Sequence, residues 1–155
     1  MLHGGSSLQE IASCSHLASI LDIPLSDLEY IAANIPSMVA EGGSNKKKRS
    51  TLKPLEPLKT VQKRIKIILL DPLPLPESVN AYRKKRSQVT AALPHLNAPY
   101  LLSIDIRSFF PSIHYRRIFK FWLTYTSSED VAHLLTRLTT YNYHLALGLV
   151  TVVSV

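Results

Sequence analysis

The stretch Tyr100-Leu-Leu-Ser-Ile-Asp105-Ile-Arg-Ser-Phe109-Phe110-Pro-Ser-Ile113 combines an apolar run, one carboxylate and two adjacent aromatic residues. Its first part, from Tyr100 to Ile106, alternates well enough to predict a β-strand with Leu102 and Ile104 on one face. Such a strand would deliver Asp105 at its end, where a rigid support can aim a side chain into a cleft. Asp105 is therefore the first candidate functional residue.

An aspartate in this position can be a metal ligand or an ordinary structural residue. Phosphoryl transfer with two Mg²⁺ ions about 3.5–4 Å apart needs hard oxygen ligands, and one Asp cannot hold both ions. The alternative is a strand-ending Asp that accepts hydrogen bonds from backbone N–H groups. Taken alone, Asp105 fits either interpretation.

Helices are predicted on both sides of this strand. Beyond Pro111 a helix carries Ile118, Phe121 and Trp122, and Ser127-Ser-Glu-Asp130 can cap a further helix. Upstream, apolar residues at helical spacing predict a helix from Leu58 to about Leu70. The alternating prolines of Asp71-Pro-Leu-Pro-Leu-Pro76 end it, because they lack amide donors, and residues 80–99 look loop-rich.

The beginning of the chain differs from the rest. Residues 6–33 predict short helices, and Ser26-Asp-Leu-Glu29 has the capping-box pattern of a helix start. Glu41-Gly-Gly-Ser-Asn45 has the composition of a turn or linker. We therefore expect a boundary near residue 45, with a helical lead over 1–45 and a second region over 46–155, in a chain of the α+β class.

Charge follows the same division. Residues 1–45 carry five acids and no Lys or Arg, so this segment is −5 and the remainder of the +7 chain is +12. A basic, tyrosine-bearing body behind an acidic lead favours a nucleic-acid partner over a membrane. The plainer alternative is a soluble basic surface with no polyanion partner.

Composition excludes several other classes. With 155 residues and 46% hydrophobic content the chain can bury an ordinary domain core. Cys14 is the only cysteine, which excludes an internal disulfide, and His114, His133 and His144 form no evident ligand pair. No signal sequence is recognisable, and the longest apolar run, Leu145–Val155, is shorter than the about 20 residues of a membrane span. We expect a soluble, cytoplasmic chain with no membrane partner.

Four segments, in order, resemble the bacterial reverse transcriptases, and the retron type most closely. They are Arg49-Ser-Thr-Leu-Lys-Pro54-Leu-Glu-Pro-Leu58-Lys59-Thr-Val-Gln62, Ala81-Tyr82-Arg83-Lys84-Lys85-Arg86-Ser87, Ala92-Leu-Pro-His95 and Asp105-Ile-Arg-Ser-Phe-Phe-Pro-Ser-Ile113. The resemblance covers roughly residues 46–140. It implies the fingers and the start of the palm of a right-hand polymerase, with an incomplete antiparallel sheet packed by helices.

The resemblance also implies a role for each matching residue. Asp105 matches the first catalytic Mg²⁺ ligand, and the Ile106 carbonyl would complete that ion's shell. Phe110 matches the bulky residue under the incoming sugar, although an ordinary core aromatic is the alternative. Arg49 matches the fingers arginine that grips the triphosphate of a deoxynucleotide, a task that suits a planar guanidinium.

A nucleic-acid surface is implied by the same resemblance. The expected contacts to an RNA template and a DNA primer are Lys46, Lys47, Lys48, Lys63, Arg64, Tyr82 and Arg83. The lysines and Arg64 would add salt-dependent affinity, and Tyr82 and Arg83 could stack on or clamp nucleotides. Solvated charges and a loop-packing Tyr82 are the alternatives. The oligomeric state is left open.

Three departures from the family pattern set an expectation about activity. Lys85 stands where the family has a glycine, in a turn that needs positive φ, and Ala91 stands where it has an asparagine. The segment Leu145–Thr151 keeps only part of a later motif, and no Tyr-x-Asp-Asp follows. We therefore expect a truncated, inactive fragment. A non-catalytic RNA-binding module and an intron maturase relative are the other hypotheses.

Overall fold

The computed structural model describes residues 10–42, 51–80 and 85–145. These residues fall into two units. The first unit comprises 10–42, 51–72 and 108–145, and the second comprises 73–80 and 85–107. No helix among the described residues is both long enough and apolar enough to cross a membrane.

The lead contains two short helices, as predicted. Helix α1 spans Cys14–Leu21 and begins at Ser13, whose side chain accepts a hydrogen bond from the His16 amide at 3.1 Å. Helix α2 spans Leu25–Ala33. The predicted capping box at Ser26 is wrong, because α2 already begins at Leu25 behind Pro24 and no side chain caps it. Proline presets a φ compatible with a helix start, so the first turn forms before Ser26.

A small hairpin follows the lead. A 3₁₀ turn at Ile35–Met38 leads into strand β1, Val39–Gly42, which pairs antiparallel with strand β2, Thr51–Pro54. The register joins Val39 to Pro54 and Gly42 to Thr51. The predicted boundary near residue 45 falls between these strands, outside the described residues, and stays a prediction.

The helix predicted from Leu58 to about Leu70 is confirmed. Helix α3 spans Leu58–Arg64 and continues as a wider π-helix over Ile65–Leu70. The Asp71 amide closes it by donating to the Lys66 carbonyl at 2.8 Å, a five-residue step. Pro72 follows immediately.

Two amphipathic helices build the core of the first unit. Helix α6 spans Tyr115–Tyr125 and helix α7 spans Glu129–Thr139, both as predicted. The Ser128 hydroxyl caps α7 by accepting from the Val131 amide at 3.5 Å. Helix α7 packs against α1, α2, α3 and α6, and its inner face is buried.

Three polar side chains join elements of this core. Gln62 is buried and donates from Nε2 to the Leu138 carbonyl at 2.9 Å. The Arg64 guanidinium donates to the Leu21 and Asp22 carbonyls and pairs with the Asp22 carboxylate at 3.0 Å. Arg137 donates to the Ala32 carbonyl at 3.0 Å. Neither α1 nor α2 has a basic residue in its last turn, so both arginines complete helix ends that lack a cation of their own.

The second unit has little regular structure. Helix α4, Gln88–Ala92, has Ser87 and Thr90 as a reciprocal capping box, and a 3₁₀ turn follows at Leu93–His95. No residue of either element is buried.

The predicted strand from Tyr100 to Ile106 is wrong, because these residues form no strand in the structure. Its side chains are exposed, with Leu102 at 82% and Ile104 at 80%. A strand needs a neighbour for its backbone groups, and in the described part of the chain β1 and β2 pair only with each other. The described residues are thus helix-dominated with a two-stranded antiparallel sheet, which is compatible with the α+β class.

Candidate active-site segment and nucleic-acid surface

Asp105 lies in the exposed segment that precedes helix α5, Phe109–Ser112. Within residues 10–42, 51–80 and 85–145, no hydrogen bond or ion pair involves its carboxylate. Among the described residues, Asp105 thus accepts none of the backbone N–H hydrogen bonds that the structural alternative predicts. Ile106 is 61% exposed beside it. Asp105 is itself exposed.

The aromatic half of the motif is better packed. Ser108 has a positive φ of 53° and turns the chain into α5, where the Phe109 and Phe110 rings meet edge to face at 5.5 Å. Both rings are half-buried. Ile113 is 5% exposed, and its carbonyl accepts from the Leu145 amide at 2.9 Å. Asp105 thus belongs to the second unit and Phe110 to the first.

A divalent metal needs more ligands than this segment offers. Mg²⁺ takes six oxygen ligands in near-octahedral geometry, some of them water. Among the described residues no group of three His, Cys, Asp or Glu side chains is placed to hold a metal ion. The described residues do not by themselves fit a two-metal centre, and Asp105 is a single candidate ligand.

The predicted nucleic-acid residues are only partly described. Lys46, Lys47, Lys48 and Arg49 lie within 43–50, and Tyr82 and Arg83 within 81–84, outside the described residues. Lys63 is exposed on α3. The Arg64 side chain is 36% exposed, and its Nη1 is held by the end of α1. Of the predicted nucleic-acid surface, Lys63 is the described residue with a freely presented cation.

The turn expected to need positive φ does have it. Lys85, at the family's glycine position, has a φ of 63°. A side chain in this left-handed region costs about 1–2 kcal/mol relative to the right-handed one. The turn therefore has the positive φ even though it lacks the glycine that adopts this conformation most readily. Ala91, at the family's asparagine position, lies inside helix α4.

Sequence reasoning missed a cluster around a tight turn, which we call the turn cluster: His114, Tyr115, Tyr143 and His144. Tyr141 and His144 exchange two backbone hydrogen bonds of 2.9 and 3.0 Å. Asn142 and Tyr143 between them have φ values of 48° and 64°, as in a type I′ turn. The Tyr115 amide donates to the Tyr143 carbonyl at 2.8 Å, which fixes the turn to the start of α6.

The histidines of the turn cluster lie close together. His114 and His144, expected to form no evident ligand pair, stand edge to face with ring centroids 5.4 Å apart. Asn142 is the one sequence signal for this turn. It does not indicate that His144 meets His114, because the two histidines are 30 residues apart in the sequence. No third ligand joins them among the described residues, so the pair does not make a metal site.

Cys14 does not have the properties of a reactive thiol. Burial raises the pKa of its thiol, and the nearby Asp130 and Glu29 carboxylates raise it further. A thiol with a raised pKa holds less of the nucleophilic thiolate at neutral pH. Nucleophilic catalysis by Cys14 therefore has no support.

Comparison with known proteins finds relatives of one kind. No family model matches the chain. The reverse transcriptase of retron Se72 from Salmonella heidelberg is 29% identical over 139 residues, covering 85% of this chain and 36% of the relative. That of retron Ec86 from Escherichia coli is 27% identical over 110 residues, covering 71% of this chain and 34% of the relative. The chain is homologous to the retron reverse transcriptases.

A further retron relative is similar to this chain and shows how much of each relative the similarity covers. The reverse transcriptase of retron Mx162 from Myxococcus xanthus is 28% identical over 126 residues, 73% of this chain and 25% of the relative. The matched part thus spans between a quarter and about a third of each of these retron enzymes. A match to 85% of the chain cannot fit within residues 46–155 alone. The retron likeness therefore extends into the helical lead, beyond the residues that carry the motifs.

Proposed function

We propose that this chain forms part of the nucleotide- and template-binding machinery of a retron-type RNA-directed DNA polymerase. The observation that carries the proposal is the retron likeness over most of the chain, together with a motif aspartate that is exposed and unbonded among the described residues. The reaction would be addition of a deoxynucleotide to a primer 3′-hydroxyl, templated by RNA.

The incoming nucleotide would meet four residues. Asp105 and the Ile106 carbonyl would offer oxygens to Mg²⁺, which in this chemistry offsets phosphate charge. Arg49 would bind the triphosphate, where a guanidinium can donate two parallel hydrogen bonds. Phe110, braced edge to face against Phe109, would act as a rigid wall beside the sugar. Among the described residues, no group of three candidate ligand side chains accompanies Asp105.

The template and primer would meet the basic residues. Lys46, Lys47, Lys48 and Lys63 would contact phosphates, and Tyr82 and Arg83 would contact unpaired nucleotides. Arg64 would contribute its charge, while its Nη1 remains on the end of α1. Phosphate contacts of this kind release counterions, so affinity falls steeply with salt.

A second candidate is an RNA-binding module without catalysis. The +12 charge of residues 46–155 favours it, because polyanion binding needs no metal centre. The two functions share the basic residues and differ at Asp105, which matters only for catalysis.

Binding of the 155-residue chain to an RNA template annealed to a DNA primer tests the shared part. Fluorescence anisotropy across 50–300 mM salt should give a steep log–log slope. Lys46→Gln/Lys47→Gln/Lys48→Gln should weaken binding and reduce the slope by about 0.9 for each phosphate that is no longer neutralised. Binding that is absent or insensitive to salt would contradict both functions.

Primer extension with Mg²⁺ tests whether Asp105 supports catalysis in this chain, which only the first function assigns to it. We expect the isolated polypeptide to add no nucleotide, because one carboxylate cannot position two metal ions. Extension abolished by Asp105→Asn and retained in Glu77→Gln would overturn that expectation. Glu77 is the matched control, since it is exposed and its substitution removes the same charge from the same unit.

A further inference from the structure

Tyr143 occupies a backbone position that does not suit it. It is the second central residue of the turn Tyr141–His144, with a φ of 64°, where glycine is the favoured residue. A bulky residue in this region is uncommon and persists only when its surroundings fix it. The hydrogen bond from the Tyr115 amide to the Tyr143 carbonyl, at 2.8 Å, provides that constraint.

The strained position does not serve burial. The Tyr143 side chain is 71% exposed, so the ring gains little from the core. It lies 5.6 Å from the half-buried Tyr115 ring, at an interplanar angle of 57°. The turn therefore presents an aromatic ring to solvent, and a tilted contact with a second aromatic ring supports it.

Basic residues predominate in the sequence on either side of the helix start that contacts this ring. Between residues 106 and 128 the chain has Arg107, Arg116, Arg117 and Lys120 and no acid, and residues 131–145 have no acid either. Arg116 and Arg117 directly follow Tyr115, and both are exposed in the first turn of α6. The ring that contacts Tyr143 is thus followed directly by two exposed arginines.

We infer that Tyr143, Tyr115, Arg116 and Arg117 form a binding site for single-stranded nucleic acid, with an unpaired base stacked on Tyr143. Exposed rings accept any base through its π-face, and neighbouring cations hold the flanking phosphates. RNA and DNA strands share this chemistry. The inference rests on the proposed function, because it assumes that the chain binds nucleic acid, and it adds a site outside the residues assigned above.

A glycine substitution separates this role from a folding role. Tyr143→Gly removes the ring and relieves the backbone strain, so the fold should be kept or stabilised in thermal unfolding. Affinity for a labelled 12-nucleotide uridine strand should fall about tenfold, the typical effect of removing one stacked base. Tyr143→Phe and Tyr143→Trp should bind like the wild type. Matching DNA strands show whether the 2′-hydroxyl contributes.

The arginines and a matched tyrosine complete the test. Arg116→Gln/Arg117→Gln should reduce the salt slope by about 1.4, the value for two phosphate contacts on a single strand. Tyr30→Ala is the control, because Tyr30 is 64% exposed on α2, in the acidic lead, and should leave binding unchanged. A blunt RNA duplex should bind Tyr143→Gly and wild type equally, since its bases are paired.

Two results would overturn the inference. One is undiminished single-strand binding by Tyr143→Gly, and if Lys46→Gln/Lys47→Gln/Lys48→Gln still weakens binding, the proposed function stands and only this site falls. The other is a tenfold weaker affinity in Tyr143→Phe, which would assign the effect to the hydroxyl rather than to the ring. A wild-type chain that binds no nucleic acid would remove both the site and the proposed function.

Discussion

Helix α7 and the segment Tyr100–Ile106 are both rich in large apolar residues, yet the structure treats them in opposite ways. In α7, Leu135 and Leu138 are fully buried. In the other segment, Leu102 and Ile104 are at least 80% exposed. A helix satisfies its own backbone and needs only one apolar face to pack, whereas a strand needs a partner before it exists. Apolar content therefore becomes structure only where a neighbour is present.

Amide hydrogen exchange gives the largest expected contrast between these two regions. Inner amides of α7, such as that of Leu135, should exchange only when the first unit unfolds. The free energy of unfolding then sets how much slower they exchange than amides of an unstructured chain, more than about a thousandfold for a stability of about 5 kcal/mol. Amides of residues 101–106 donate no hydrogen bond within the described part of the chain and should exchange at nearly intrinsic rates. Mass spectrometry of peptides from both regions checks this. Equal protection would mean that residues 101–106 have found a partner.

Truncation of one leucine in each region sharpens the comparison. Leu135→Ala leaves a cavity among α1, α2, α3 and α6 and should lower the free energy of unfolding by about 2–5 kcal/mol. Leu102→Ala removes an exposed side chain and should change it by less than about 0.5 kcal/mol. Urea unfolding followed by circular dichroism measures both. Trp122, the one tryptophan of the sequence and 2% exposed, reports the first unit separately by fluorescence. A destabilisation in Leu102→Ala comparable to that in Leu135→Ala would show that residue 102 is buried.

Helix caps offer the smallest contrast. Ser128→Ala removes the cap of α7 and should cost about 1 kcal/mol of global stability, because α7 is packed in the core. Ser87→Ala removes the equivalent cap of α4, which buries no residue, so only the local helicity of α4 should fall. Chemical-shift helicity at Ala91 with urea unfolding distinguishes local from global destabilisation. If Ser87→Ala lowered the global stability as much, α4 would be coupled to the core.

The features that could be predicted from the sequence are those that depend on neighbouring residues in the chain. Helices α3, α6 and α7 were predicted correctly because their apolar spacing is a local property. The strand at Tyr100–Ile106 failed because pairing depends on distant residues, and the cap at Ser26 failed because Pro24 starts α2 earlier. At the site, the positive φ of Lys85 agrees with the glycine that the family resemblance places at this turn. The meeting of His114 with His144 did not, since a backbone bridge brings the two together.

Two arginines that bond to the ends of α1 and α2 affect how much of the chain's positive charge is free to bind a ligand. Arg64 and Arg137 lie in the basic part of the sequence, yet their donors are directed at carbonyls of the acidic lead. Neither can reach a phosphate through those donors without releasing a helix end. Fewer basic side chains can thus give all of their donors to a polyanion than the formal +12 suggests. A charge-removal scan that included these two positions would mistake loosened helices for weakened binding of nucleic acid.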